Sequence, residues 1–414
     1  MIRSKALGLL TLLLLSPLCG AAKKRHAAKP DQLAGVESQA ITPQFWGMHT
    51  LSPWRHWPAV PFGSLRPAGL SWGAVEPQRG AFNWQGLDSW VQRAQEKHVQ
   101  LVYLFLNTPQ WASTRPNEKC NRGYNGCAAP PRDEDWGDFV RALVTRYRGR
   151  IPVYEMWNEP NAIGYYTGSP AEMAHLVSIA YSIIKSVDPR AIVVAPAVSS
   201  TGWPTPYDVW IDQFLKAGGG KSVDAIAWHS YPGRANQPAL PPEDVVSQIR
   251  KVRDAMAKNG VGNMPLWDTE GGWGGDSQLP DEQAQADFLT RWYLMQYSDG
   301  VARVFWYQWD SPKWGTLWKE GSGETPAAAA YRKVYEWLDG ATGATPCAPT
   351  SGAIWTCSLF KGDKKYLVAW STSGPAAFTG YAGFSEYVDM AGEKRTSKGK
   401  SVMVGPSPIL FQTQ

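Results

Sequence analysis

The chain has 414 residues, 43% hydrophobic and 19% charged, with a formal net charge of +5. That balance describes a folded chain, and a charge this mild argues against nucleic acid as a partner. Residues 1–22 carry Arg3 and Lys5, an apolar run from Leu7 to Leu15, then Gly20, Ala21 and Ala22, the pattern of a cleaved export signal. The run is too short to cross a bilayer, so no membrane span is expected. Without residues 1–22 the charge is +3 (39 basic against 36 acidic residues). Residues 23–40 read as a polar, flexible segment.

From residue 41 short apolar runs alternate with amphipathic ones. Predicted strands are Phe45–His49, Ser64–Leu70, Gln100–Leu106, Pro152–Trp157, Ile192–Ala195, Ala225–His229, Leu266–Thr269 and Arg303–Trp306. Predicted helices fall between them: Leu87–Lys97, Trp136–Tyr147, Ala171–Ser186, Val209–Ala217, Glu243–Asn259 and Asp281–Tyr297. Ser169-Pro170 starts one helix and Asn259-Gly260 ends another. Strands separated by helices need crossover connections and a parallel sheet. Eight such units predict an α/β fold, a (β/α)8 TIM barrel over 41–340. An open doubly wound sheet is the rival, but no glycine-rich phosphate fingerprint follows the first strand. From 344 to 414 helical periodicity stops, and short strands at Ala353–Phe360, Lys365–Ser371, Glu386–Asp389 and Ser401–Val404 predict a small antiparallel β-domain. After the export signal four cysteines remain, and an exported chain with two local pairs predicts disulfides Cys120–Cys127 and Cys347–Cys357.

Catalytic groups of a barrel sit where strands end. The fourth strand runs out into Trp157-Asn158-Glu159-Pro160-Asn161, and the seventh into Asp268-Thr269-Glu270-Gly271-Gly272-Trp273. Two carboxyl groups across one cleft are what acetal cleavage between sugars requires: one protonates the leaving oxygen, the other attacks the anomeric carbon or guides a water. Alternation points Asp268 the same way as Glu270, but only Glu270 reaches the strand end. Glu155 shares parity with Glu159 yet lies deeper, which reads as a paired core carboxylate. The chain also holds 22 tryptophans, more than a core needs, and flat indoles stack on sugar faces. Trp54, Trp57, Trp111, Trp203, Trp273 and Trp314 fall in loops expected at the barrel mouth.

Trp157-Asn158-Glu159-Pro160 resembles the acid/base signature of the clan A glycoside hydrolases. Within that clan the chain is most similar to glycoside hydrolase family 39 and its relatives, on Val75-Glu76-Pro77, Gly80, Trp84, Leu87-Asp88, Pro109, Trp111, His229-Ser230-Tyr231 and Trp306. The loop holding Cys120 and Cys127 departs from that pattern. The resemblance implies a retaining O-glycosidase acting on a poly- or oligosaccharide, with Glu159 as acid/base and Glu270 as nucleophile. It implies that Asn158 bonds the sugar 2-hydroxyl, Tyr231 orients Glu270 and His229 supports the acid/base. Arg66 would neutralise and position the nucleophile, and Trp306 would form the floor under the reacting sugar, with Trp309 in its place if the register slips. Trp111 and Trp273 are expected as outer sugar contacts. No metal or organic cofactor is called for. Two rivals remain at the level of sequence: a transglycosylase on the same site, and a catalytically inactive carbohydrate-binding barrel.

Overall fold

The computed structural model describes residues 40–67, 70–233, 237–397 and 401–413. The expected export signal and the stub up to residue 39 lie outside the described residues. Eight barrel strands are present: β1 (Trp46–Met48), β2 (Ser64–Leu65), β3 (Gln100–Leu104), β4 (Val153–Glu155), β5 (Ile192–Val194), β6 (Ile226–Ser230), β7 (Leu266–Gly271) and β8 (Arg303–Trp306). Each pairs with its neighbours in parallel, in the order β5-β4-β3-β2-β1-β8-β7-β6. The ring closes between β5 and β6. Val194 bridges Ala225, the Ala195 amide donates to the Ala225 carbonyl at 2.9 Å, and the short segment Val198–Ser199 pairs with Trp228 and His229.

The helices form where the sequence places them, each with its apolar stripe turned to the sheet. Pro170–Val187 starts on a capping box, Ser169 accepting from the Glu172 amide while Glu172 reaches back to Ser169. Glu282–Ser298 is buried on nearly every side, which explains its weak amphipathicity. Its inner face meets β6 and β7 through Trp292 and Gln296, and its outer face meets the C-terminal sheet through Asp287–Ser407 and Ser298–Cys347. A further helix, Pro326–Leu338, which the periodicity reading passed over, completes the ring.

Strand alternation divides the barrel interior into two layers. Val102, Val153, Val194, Ala227, Trp267 and Phe305 form an apolar floor. Gly47 lets the Phe305 ring fill it, since a Cβ there would stand 2.3 Å from the ring. One step towards the strand ends the interior turns polar, with Arg66, Glu155, His229 and Thr269 all buried. Beyond the barrel, Ile354–Lys361, Lys364–Ser371, Glu386–Val388 and Ile409–Gln412 anchor an antiparallel sheet. Cys347, Leu359, Trp370 and Leu410 of this region belong to the same hydrophobic core as the barrel helices, and Trp370 donates to Glu243 at 2.7 Å. The described residues form one compact unit. Both expected disulfides, Cys120–Cys127 and Cys347–Cys357, are formed. Among the described residues no helix is long and apolar enough to cross a membrane.

Candidate active site

At the end of β4, Val153 and Glu155 point into the barrel and Tyr154 packs outward. Glu155 is fully buried and accepts from Arg66 at 2.7 and 3.1 Å and from Thr269 at 3.0 Å, a paired core carboxylate as expected. The chain then turns sharply, and Glu159 adopts a left-handed backbone conformation (φ 45°), which is unfavourable for a residue that carries a Cβ, here one that also precedes a proline. The turn is over-determined by its partners. The Glu159 amide donates to the Ala197 carbonyl at 2.7 Å. Asn161 accepts from the Ser199 amide and donates to the Ser199 and Thr205 carbonyls. Such strain persists only where the surroundings hold it, and it aims Glu159 across the cleft.

The carboxyl of Glu159 meets one ring nitrogen, His229 Nδ1 at 3.0 Å. Burial pushes Glu159 above the ordinary carboxylate range, against the opposing effects of Ser199, Arg122 and Arg66. Burial likewise lowers His229 to about 4, so the imidazole is neutral at working pH. A neutral ring can donate to an ionised Glu159 or accept from a protonated one, so His229 suits both states of an acid/base.

Glu270 lies in a different setting. Its Oε2 accepts from Arg66 Nη1 at 2.9 Å and its Oε1 from the Tyr231 hydroxyl at 2.8 Å. Arg66 also donates to the amide oxygen of Asn158 at 2.8 Å, so one guanidinium ties together Glu155, Asn158 and Glu270. Burial works against the charge of Arg66, but Glu155 and Glu270 outweigh it and hold it above its ordinary value. Tyr231 is raised well above the ordinary phenol range by burial and by Glu270, which keeps its proton available to the carboxylate.

The expected parity of Asp268 and Glu270 is corrected by a register shift between Asp268 and Gly271 in the β7–β8 pairing. Asp268 turns out towards the helix behind β7 and is bonded by Ser230 and Gln296, whereas Thr269 and Glu270 both face inward. Asp268 is thereby removed as a rival carboxylate.

Two expected sugar contacts are corrected as well. Trp306 and Trp273 are both 0% exposed and pack edge to face at 4.9 Å beneath the cleft. Trp306 donates to the Gly315 carbonyl and Trp273 to Asp276, so neither offers a ring face to a substrate. Trp309 is buried too. The interior face of β8 passes from Phe305 to Tyr307, whose hydroxyl is raised to about 12 by burial and by Glu270. The signal for Tyr307 was in the sequence: it shares parity with Phe305, and Trp306 does not. Trp111 is half-buried, donates to the Glu76 carbonyl and lines a hollow of about 430 Å³ with Gly73, Arg79 and Tyr124, sharing no residue with the carboxylate pair. Trp314 meets Tyr231, which bonds Glu270, edge to face at 5.9 Å. Sequence reasoning also missed His49, which bonds the Thr269 carbonyl at 2.9 Å beneath Glu270, and Tyr165, which sits in the field of both glutamates.

One oxygen each of Glu159 and Glu270 and one nitrogen of His229 lie within 4.8 Å of one another. Three such atoms could face a metal ion, but the guanidinium of Arg66 already places positive charge against Glu270. What the arrangement does offer is a proton-holding carboxyl opposite a carboxylate fixed by two donors, with space between for one anomeric carbon.

A closed (β/α)8 ring with two glutamates meeting at the tips of β4 and β7 is an arrangement that acetal cleavage between sugars can use. Residues 81–331 match the family described as glycosyl hydrolase catalytic core, and the chain belongs to that family. It is 28% identical over 169 residues to a beta-xylosidase of Geobacillus stearothermophilus, covering 36% of this chain and 32% of that protein. It is 27% identical over 167 residues to endo-1,4-beta-xylanase 1 of Gibberella zeae, covering 40% of this chain and 42% of that protein. The matched part therefore spans less than half the length of either relative. In fold it is similar to a family 39 glycoside hydrolase from Bacteroides cellulosilyticus, with a TM-score of 0.72 at 17% identity over 90% of this chain and 81% of that one.

Proposed function

We propose that this chain is an exported, retaining O-glycoside hydrolase that cleaves β-xylosidic bonds in xylan-type poly- or oligosaccharides. The observation that carries the mechanism is the approach of Glu159 and Glu270 to within 4.8 Å, oxygen to oxygen, in unlike surroundings. Carboxyl groups about 5–5.5 Å apart suit double displacement, whereas inversion needs about 6.5–9.5 Å to admit a water between them. The xylan assignment rests on what the curated relatives are named for, and export rests on the pattern of residues 1–22.

In the first step Glu159 gives its proton to the glycosidic oxygen as the bond to the anomeric carbon breaks, and Glu270 attacks that carbon to form a glycosyl ester. Arg66 and Tyr231 hold the attacking carboxylate in line. The aglycone leaves as an alcohol. In the second step Glu159, now ionised, takes a proton from water, the hydroxide oxygen attacks the anomeric carbon, and Glu270 departs as carboxylate. Asn158, its oxygen fixed by Arg66, keeps its Nδ2 for the sugar 2-hydroxyl. Following the anomer released from a xylo-oligosaccharide by proton NMR tests the proposal: the β-anomer must appear first, and the α-anomer as first product would overturn retention.

A further inference from the structure

The loop between β3 and the helix Asp133–Tyr147 is fastened with unusual care. The disulfide Cys120–Cys127 cinches it. Arg115 donates to Glu118 at 2.6 Å and to Thr167 at 2.7 Å, and the Thr167 amide donates to the Ala128 carbonyl at 2.8 Å. Tyr124 lies so close over Gly73 that a Cβ there would stand 2.6 Å from its hydroxyl. The loop is therefore tied to the segment that follows Glu159. From it Arg122 lays its guanidinium 3.9 Å from the centre of the Tyr165 ring, and a Cβ on Gly164 would lie 3.5 Å from its Nε. Arg122 is exposed and, among the described residues, pairs with no carboxylate.

A guanidinium stacked on a ring keeps its N–H edge free, and that edge matches the two oxygens of a carboxylate. The stack also limits the conformational freedom lost when a ligand is bound. The charge has a second effect. The groups facing Glu159 are His229, Tyr231, Glu270, Tyr165, Tyr307 and the two arginines Arg66 and Arg122. Arg66 is already paired with two carboxylates, so Arg122 is the uncompensated cation of the described set. Left alone it opposes the protonation that Glu159 needs as a donor; an anion seated on it removes that opposition.

We propose that Arg122 is a recognition residue for a carboxylate on the substrate, and that the preferred substrate is an acidic oligosaccharide with a hexuronic acid unit at the Tyr165 side of the cleft. This rests on the glycosidase reading above. The test uses the full chain and a matched pair of xylo-oligosaccharides, one bearing a glucuronic acid unit and one in which that carboxyl is reduced to the alcohol. We expect wild-type kcat/KM to favour the acidic sugar by about tenfold, the scale of a charge-assisted hydrogen bond at a partly solvated site. The preference falls towards unity in Arg122→Ala and Arg122→Gln, is partly kept in Arg122→Lys, and weakens as salt is raised. Thermal unfolding of each variant checks that the loop still folds, and calorimetric titration of both sugars into Glu270→Gln reads binding without turnover. Equal wild-type kinetics and binding for the two sugars, or a preference that survives in folded Arg122→Ala, would overturn the role of Arg122. Absence of hydrolysis with either sugar would count against the glycosidase reading, while the binding ratio in Glu270→Gln and in its double variant with Arg122→Ala would still decide the role of Arg122.

Discussion

The tips of β4 and β7 carry the same side chain and treat it in opposite ways. At β4 a strained turn lifts Glu159 towards a buried, neutral imidazole, and burial favours its protonated form. At β7 a register shift brings Glu270 inward, where a guanidinium and a phenol each donate to one of its oxygens. Two carboxyl groups this close can take different roles only if their surroundings differ, and here the difference is built from neighbours 39 to 204 residues away along the chain.

The comparison is broken most severely by removing the attacking group. Glu270→Ala should lower kcat by roughly 10⁴-fold or more, as expected for a side chain that forms the covalent intermediate. Added azide, entering the vacated space, should restore turnover and give the α-glycosyl azide; a β-azide, or no rescue in a folded variant, speaks against Glu270 as nucleophile. Glu159→Gln should cost about 10²–10⁴-fold with a poor leaving group, and far less with a dinitrophenyl leaving group that needs no proton. The sign of the pH effect follows from the raised pKa: Glu159 donates only while protonated, so activity falls as pH rises through its value. That alkaline limb should be absent in Glu159→Gln, and a limb that persists assigns the acid to another group.

Arg66 links both tips, so its loss tests whether they are one structure. Arg66→Ala leaves the buried Glu155 and the part-buried Glu270 without their counter-charge and should destabilise the fold by about 3–5 kcal/mol, read from urea unfolding. A loss below about 1 kcal/mol, the scale of a surface pair, contradicts the account given of the barrel interior. The smallest change is Tyr231→Phe, which removes one hydrogen bond to Glu270 and should lower kcat/KM about tenfold with little change in stability. An unchanged kcat/KM would show that Arg66 alone orients the carboxylate.

Much of this was legible before any coordinates. Alternating strands and amphipathic helices are local, periodic signals, and they located eight strands and six helices because each element must bury one face. The two glutamates could be named because residues at strand ends share one mouth in a closed ring, whereas His229, Tyr231, Asn158 and Arg66 were named through the resemblance to family 39 glycoside hydrolases. The two disulfides were readable because each joins cysteines 7 or 10 residues apart. Only the tertiary structure decided the rest. A bulge shifts parity by one residue and leaves no periodic trace, so Glu270 turned inward beside Thr269 while Asp268 stayed out. Trp306 was sealed by Trp273 and Trp292 from other elements, leaving Tyr307 to face the cleft. Arg122 comes to rest on Tyr165, 43 positions away, through a loop fastened by contacts that no repeat in the chain foretells. Periodicity records which side of an element is apolar; it does not record which elements meet, and meeting is what sets the charge and reach of a site.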